Sequence, residues 1–142
     1  MAKTPKHKAK KKRKKVPIIP DIKKKEKSFL WSFSNLDCAG PFGWDKCKCH
    51  NKYLEILKRF KNFEGMNIND LKKTYSHNIK VEKLSSEAQR RLRKIRLDDI
   101  DELYSLRITA RERVFCRLIN NIFTILWWDP DHQVCLSKKK NT

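Results

Sequence analysis

Three arginines in the C-terminal third of the chain have the chemistry to bind phosphate groups. Arg107, Arg113 and Arg117 lie in two short apolar runs, "LYSLRIT" and "RVFCRLI". A guanidinium group is a rigid fork of N–H donors that can hold a phosphate through two parallel hydrogen bonds. Phe115 lies between two of these arginines, Trp128 lies in a third run, and flat aromatic rings can stack on bases. These residue types predict a surface that binds nucleic acid.

His132 is the residue in this region best suited to proton transfer. It follows the segment "LWWDPD", and an imidazole changes charge near neutral pH, so it can act as a general acid. Asp129 and Asp131 could instead bond nearby amides and make His132 part of a simple turn. Pro130 ends the strand in either case, because proline cannot continue the ladder of hydrogen bonds. We therefore expect His132 at the rim of the arginine-bearing surface.

A second group of residues with ligand chemistry is Cys38, Cys47, Cys49 and His50. Zinc sites separate their paired cysteines by two to four residues, whereas C-x-C-H at the start of a helix points its side chains apart. Cysteines in a chain without a secretory signal are typical of reduced thiols in the cytosol. We expect neither a metal nor another cofactor.

The charge of the chain indicates a polyanionic partner. The 142 residues carry 35 Lys and Arg against 16 Asp and Glu, a formal net charge of +19. Nucleic acid is the favoured partner, with Lys138, Lys139 and Lys140 as further RNA contacts. Residues 1–28 hold more than a third of the positive charges and too few apolar side chains to fold. They are predicted to be a disordered tail, which serves either as an electrostatic arm for phosphates or to aid solubility.

The apolar segments are too short for a membrane protein. No run approaches the roughly 20 apolar residues of a transmembrane helix. The segment "VPIIP" is also too short for the apolar core of a signal peptide. We expect a cytoplasmic protein with no membrane partner and a single domain at residues 29–142.

The middle of the chain shows helical periodicity after an early strand, "SFLWSFS". The segment "DKCKCHNKYLEILKRFKNFEG" repeats apolar residues at three- and four-residue steps and stops at Gly65. The segment "NINDLKKTYS" predicts a short helix capped by Asn67 or Asn69. Ser86 with Gln89 resembles the capping box of a third helix.

The C-terminal third predicts an antiparallel meander of three strands, "LYSLRIT", "RVFCRLI" and "IFTILWW". Residues 120–121 are both asparagine, which tolerates the positive φ of a two-residue hairpin turn. Strict alternation from this turn pairs Val114 with Trp127 on a core face and Arg113 with Trp128 on an outer face. The same rule pairs Leu118 with Phe123, Cys116 with Ile125 and Arg117 with Thr124, and assigns Tyr104 to the core and Phe115 to the outer face.

The order of these segments resembles the RelE/ParE superfamily of small bacterial toxins. The matching motifs are "GPFGW", "H.I..E.LS..A..RL", "D.D.LY.LRI", "RV" and "LWWDPDH.V", in this order over residues 29–136. The C-terminal block is the most specific and is similar to a RelE/YoeB-like branch. The resemblance implies an α+β fold, with a small twisted antiparallel β-sheet, helices packed on one face and RNA bound on the other.

Toxins of the RelE type cleave mRNA without a metal, commonly at the ribosome. The RNA 2′-hydroxyl attacks the adjacent phosphate, which requires a proton acceptor, a cation for the developing charge and an acid for the 5′-oxygen. The resemblance assigns Arg107 and Arg113 to the arginine positions of the family, with Arg113 stabilising the transition state. It assigns His132 to the general acid, although "DPDH" replaces the His-Tyr pair, and Glu82 resembles the base by local pattern.

The resemblance therefore predicts an mRNA endonuclease of a toxin–antitoxin system. Such a protein would act at the ribosome and be held inactive by an antitoxin encoded by a neighbouring gene. One alternative on the same fold is a non-catalytic basic protein that binds RNA, the ribosome or DNA. Another is a toxin directed against gyrase, because fold does not determine the target.

Overall fold

The structure is a computed structural model that describes residues 28–136. Its strands are β1 (Leu30–Ser32), β2 (His77–Lys80), β3 (Glu102–Arg107), β4 (Arg113–Ile119) and β5 (Ile122–Asp129). Its helices are α1 (His50–Glu64), α2 (Ile68–Lys73) and α3 (Ser86–Lys94), with 3₁₀ turns at Trp44–Lys46 and Val81–Lys83. The predicted α+β class is confirmed. The predicted disordered tail, apart from Ser28, lies outside the described residues.

Three helices form in the predicted segments, although α1 begins at His50, after the predicted start at Asp45, and α2 ends at Lys73, before the predicted end at Ser76. Gly65 follows α1 and Asn67 caps α2, both as expected. The cap of α3 is Ser85 rather than Ser86, because the Ser85 hydroxyl accepts a hydrogen bond from the Ala88 amide at 3.2 Å. No helix in residues 28–136 is long and apolar enough to cross a membrane.

The sheet is mixed, with strand order β1-β5-β4-β3-β2. The pairs among β2, β3, β4 and β5 are antiparallel, but β1 runs parallel to β5, with Leu30 opposite Ile122. The prediction of a wholly antiparallel sheet is therefore wrong at this edge. Short hairpins force neighbouring strands to be antiparallel, whereas the long connection through three helices allows β1 to enter in either direction.

Helices cover both faces of the sheet. Val114 and Cys116 of β4 pack with α1 and α2, and we call this cluster the first core layer. Phe115, between them in sequence, packs with Ala88 and Leu92 of α3 in the second core layer. Successive side chains of a strand point to opposite faces, so the two layers lie on opposite sides of the sheet. The prediction of helices on one face is wrong, because the apolar residues of α3 are buried against the other.

A β-bulge in β5 changes which side chains face each layer. Phe115 pairs with Trp127, while the next residue, Cys116, pairs with Ile125. Leu126 is therefore an extra residue in β5. Leu126 and Trp127 both enter the second core layer, although they are adjacent in sequence.

The predicted pairs between β4 and β5 are correct on one side of the bulge and wrong on the other. Asn120 and Asn121 have φ values of 50° and 64°, which confirms the predicted turn. The pairs between this turn and the bulge are as predicted: Leu118 with Phe123, Cys116 with Ile125 and Arg117 with Thr124. Beyond the bulge the predictions are wrong, and the observed pairs are Val114 with Trp128 and Arg113 with Asp129.

The loop after β1 holds the bulge in place. The Leu126 carbonyl accepts hydrogen bonds from the Asp37 amide at 3.1 Å and from Trp44 Nε1 at 3.2 Å. The Asp37 carboxylate in turn accepts from the Arg91 guanidinium at 2.8 and 2.9 Å and from Trp127 Nε1 at 2.8 Å. Burial alone would raise the pKa of Asp37, but Arg91 and Trp127 hold it below its ordinary value. One buried carboxylate thus joins this loop, α3 and β5.

Candidate nucleic-acid interface

Two of the predicted phosphate-binding arginines meet at one end of the sheet. Arg107 ends β3, Arg113 begins β4, and the two residues are partners across the hairpin. Both side chains are partly exposed. The β3–β4 hairpin therefore brings together two guanidinium groups at the rim of the sheet.

Main-chain carbonyls of the β3–β4 loop orient these guanidinium groups. Arg113 Nη1 donates to the carbonyls of Thr109 at 2.8 Å and Glu112 at 3.0 Å, and Arg107 Nε donates to Thr109 at 3.4 Å. A guanidinium has five N–H donors, so each arginine keeps donors for a ligand. Among residues 28–136, neither arginine forms a salt bridge.

The acidic residue of the loop is already neutralised by another partner. Glu112 Oε2 accepts from Lys52 Nζ at 2.8 Å and from the Thr109 hydroxyl at 3.1 Å. The hydrogen bond to Glu112, followed by the one to Glu55, raises the pKa of Lys52. Glu112 is therefore paired with Lys52 and leaves the charges of the two arginines available.

The arginines also repel each other. Burial, followed by the positive charge of Arg107, lowers the pKa of Arg113, and Asp129 partly opposes this effect. The Asp129 carboxylate is buried and already accepts from the amides of Gln133 at 3.0 Å and Val134 at 2.9 Å. Crowded positive charges on oriented donors favour the binding of an anion at this rim.

His132 lies in a turn at the same end of the sheet. Asp129 caps this turn through the two amide bonds, as the simple-turn alternative expects, and His132 has a φ of 56°. A salt bridge of 2.8 Å from Arg111 to Asp131 joins the turn to the β3–β4 loop. His132 is partly exposed, and it follows three residues after Asp129, the strand partner of Arg113.

The two aromatic residues of the predicted outer face lie elsewhere. Phe115 is only 1% exposed and packs in the second core layer. Trp128 pairs with Val114 and packs, partly buried, against the first core layer. The predicted stacking surface of Phe115 and Trp128 beside Arg113 is therefore wrong, because α3 covers one ring and the bulge turns the other to the opposite face.

Arg117 is separated from the other two arginines. It lies four residues along β4 from Arg113, about 13 Å at the usual rise of a strand. It pairs with Thr124 near the hairpin turn, and the buried Phe115 lies between the two arginines on the same face. Arg117 can contribute to a long RNA contact but belongs to a different part of the surface.

Glu82 lies at the opposite end of the sheet from Arg113. It is exposed in the 3₁₀ turn after β2, where the neighbouring Val81 amide donates to the Asp101 carbonyl at 2.9 Å. Asp101 precedes β3, whereas Arg113 pairs with Arg107 at its far end. The length of β3, roughly 20 Å, separates Glu82 from the arginines. The structure does not bring this predicted base to the site.

The remaining predicted residues are the terminal lysines and the cysteine group. Lys138, Lys139 and Lys140 lie outside the described residues. All five cysteines are described and none is in a disulfide. Within residues 28–136, no group of three or more His, Cys, Asp or Glu side chains could hold a metal ion. Cys38, Cys47, Cys49 and His50 therefore do not converge on one point.

Two residues that the sequence argument missed also contact Arg107. Arg59 of α1 donates from Nε to the Arg107 carbonyl at 3.2 Å. The Arg107 guanidinium carbon lies 4.9 Å from the centre of the Tyr75 ring. Arg59 is one of four Lys and Arg residues in α1, so its type alone does not distinguish it. Tyr75 lies inside the segment predicted as the second helix, so the sequence pattern did not single it out.

No family model, curated protein or solved structure matches this chain.

Proposed function

We propose that this chain is a toxin-like RNA endonuclease that cleaves mRNA without a metal, at the ribosome, and is inhibited by an antitoxin encoded by a neighbouring gene. The observation that carries the proposal is the meeting of Arg107, Arg113 and the His132 turn at one end of the sheet. Arg113 and His132 are nineteen residues apart in sequence. A pair of guanidinium groups and a turn with a histidine at one end of the sheet fit a reaction that needs both a cation and an acid.

In this proposal the free guanidinium donors of Arg107 and Arg113 bind the scissile phosphate. The RNA 2′-hydroxyl gives up its proton to solvent water and attacks the phosphorus, the bond to the 5′-oxygen breaks, and a cyclic phosphate forms. Arg113 stabilises the charge on the five-coordinate phosphate, and a protonated His132 gives its proton to the leaving 5′-oxygen. Glu82 has no part in this step, because it lies at the other end of β3.

Induction in a bacterial host tests the proposal. The wild-type protein should arrest growth, and primer extension should find new internal 5′ ends in translated messages. Replacing Arg113 or His132 with Ala should slow cleavage about 100-fold, the usual effect of losing one charge-stabilising donor or a general acid. Arg93→Ala, which removes an exposed arginine of α3, is the control and should still arrest growth. Unchanged growth and intact messages with the wild type would contradict the proposal.

The inhibitor has its own test. Co-expression of the protein encoded by the neighbouring gene should restore growth without lowering the amount of this chain. Persistent arrest with a soluble neighbour protein would remove the antitoxin from the proposal but leave the nuclease.

A second candidate is a non-catalytic protein that binds RNA or the ribosome through the same rim. The separation of Glu82 from Arg113 favours it, because the residue predicted as base is absent from the site. This candidate predicts strong RNA binding that weakens with salt. It also predicts no cleavage, even when ribosomes and message are present.

A further inference from the structure

Tyr75 is held in an unusual conformation beside Arg107. Its φ is 65°, a left-handed value that is rare for an aromatic residue and costs free energy. The neighbouring Ser76 fixes this position, because its hydroxyl accepts from the Arg107 amide at 3.0 Å and bonds Thr74 Oγ1 at 2.9 Å. The fold therefore holds Tyr75 beside Arg107 although its backbone conformation is unfavourable.

The Tyr75 ring is also largely open to solvent. The side chain is 70% exposed, although the Arg107 guanidinium lies 4.9 Å from the ring centre. A ring has two faces, and an exposure this high leaves the second face free. An open aromatic face beside an arginine is the usual arrangement for stacking a base of a single strand.

Arg59 adds a third guanidinium to the same end of the sheet. Its Nε bonds the Arg107 carbonyl at 3.2 Å, and its guanidinium carbon lies 4.6 Å from the centre of the Phe63 ring. The two terminal nitrogens keep donors for a ligand. Burial, followed by the charge of Arg107, lowers the pKa of Arg59. Among residues 28–136, Arg59 forms no salt bridge.

We propose that Arg59 and Tyr75 extend the Arg107–Arg113 pair into a track for single-stranded RNA. Arg59 binds a phosphate next to the one held by Arg107 and Arg113, and Tyr75 stacks a base on its open face. The inference rests on the proposed function for its choice of RNA. It does not depend on cleavage, because binding needs only the free donors and the ring.

Two probes separate the roles of the two residues. The first is a single-stranded oligoribonucleotide with 2′-O-methyl groups, which cannot be cleaved because the attacking hydroxyl is blocked. The second is inorganic polyphosphate, which carries charge but no bases. Binding of the full chain to each is measured by competition against a labelled oligoribonucleotide, at several salt concentrations.

Tyr75→Asn should weaken binding of the oligoribonucleotide about tenfold, the usual effect of losing one stacked base. It should leave polyphosphate binding unchanged. Asparagine tolerates a positive φ, so the variant keeps the local backbone, and Tyr75→Trp should retain the affinity for RNA.

Arg59→Gln should weaken the binding of both probes. It should also reduce the slope of log K against log salt concentration for RNA by about 0.7, the contribution of one phosphate on a single strand. The matched control is Arg93→Gln, which removes an exposed arginine of α3. Its effect on RNA affinity should stay within about twofold.

The stacking role of Tyr75 would be overturned if Tyr75→Asn lost equal affinity for the two probes. It would also be overturned if the variant lost no affinity for either. An Arg59→Gln variant indistinguishable from Arg93→Gln would overturn the phosphate role. If both variants lose affinity as predicted but the wild type does not cleave RNA, the RNA track is supported and the nuclease activity is contradicted. If both variants cleave at the wild-type rate and bind RNA with unchanged affinity, the nuclease activity is supported and the RNA track is contradicted.

Discussion

At the scale of single residues, Asp37 is the polar side chain with the widest structural role. It is buried, and its carboxylate joins Arg91 of α3 to Trp127 of β5. Gly40, just after it, has a φ of 82°, and a Cβ there would lie 2.4 Å from the Arg91 side chain. The first glycine of the "GPFGW" motif therefore makes room for the arginine that pairs with Asp37.

Asp37→Asn should lower the free energy of unfolding by about 3 kcal/mol, because Arg91 loses the charge of a buried partner. The pKa of Asp37 is depressed in the folded state, so its stabilising effect is present above the unfolded pKa and is lost as pH falls through the folded one. The difference between wild type and variant should therefore shrink on acidification. Urea denaturation at about pH 6 and at about pH 3 measures both values.

Asp131→Asn is the control for this prediction. Its salt bridge with Arg111 is exposed, so the loss should stay below about 1 kcal/mol. A difference between wild type and Asp37→Asn that is the same at both pH values would contradict the assigned role. Local spacing could not reveal this carboxylate, because its partner Trp127 lies ninety positions away.

At the scale of elements, the bulge in β5 sends both Leu126 and Trp127 into the second core layer, where Phe115 of β4 is also buried. Phe115→Ala should lower the free energy of unfolding by about 4 kcal/mol, because it removes a large side chain from the second core layer. Arg117→Ala, two residues further along β4, should change it by about 0.5 kcal/mol or less. Chemical denaturation of both variants measures the contrast. Similar values for the two would contradict the burial of Phe115 under α3.

The same bulge marks how far sequence patterns could predict the fold. Helical periodicity located α1 and α2, and the asparagine turn fixed the pairs from Leu118 to Cys116, since these features depend on neighbouring residues. Strict alternation failed at Leu126, whose carbonyl is bonded by a loop more than eighty residues earlier in the chain. The predictions for the direction of β1 and for the face covered by α3 were wrong for the same reason, because both features depend on distant contacts.

In the candidate site too, the sequence predicted the contacts between neighbouring strands but not those from distant elements. Arg107 and Arg113 could be paired because a hairpin places its two ends together. Arg59 could not be found, since it reaches the site from α1 across the tertiary structure. Glu82 was chosen by a local pattern alone, and β3 separates it from the other residues.

At the scale of the whole molecule, positive charge is spread over the folded domain and the lysine-rich residues before it. Removing residues 1–27 should weaken RNA binding about tenfold or more near 0.1 M salt and lower its salt dependence, because fewer counterions are released. The tenfold effect of Tyr75→Asn should persist in the shortened chain. Loss of that effect would show that the tail, rather than the rim of the sheet, positions the RNA. Thermal unfolding of the shortened chain serves as the control for folding.

The position of β1 has a consequence for synthesis of the protein. Leu30 pairs with Ile122, more than ninety residues later, and β5 lies between β1 and β4 in the sheet. Until β5 has been translated, Phe29 and Trp31 lack Phe123, the ring on which both pack. The nascent chain can stack Trp31 on Phe60 of α1 early, but it lacks the Phe123 ring of this cluster for most of its elongation, a state in which chaperones are valuable. The proposed nuclease site would also be incomplete until β5, which leads into the His132 turn, had been translated.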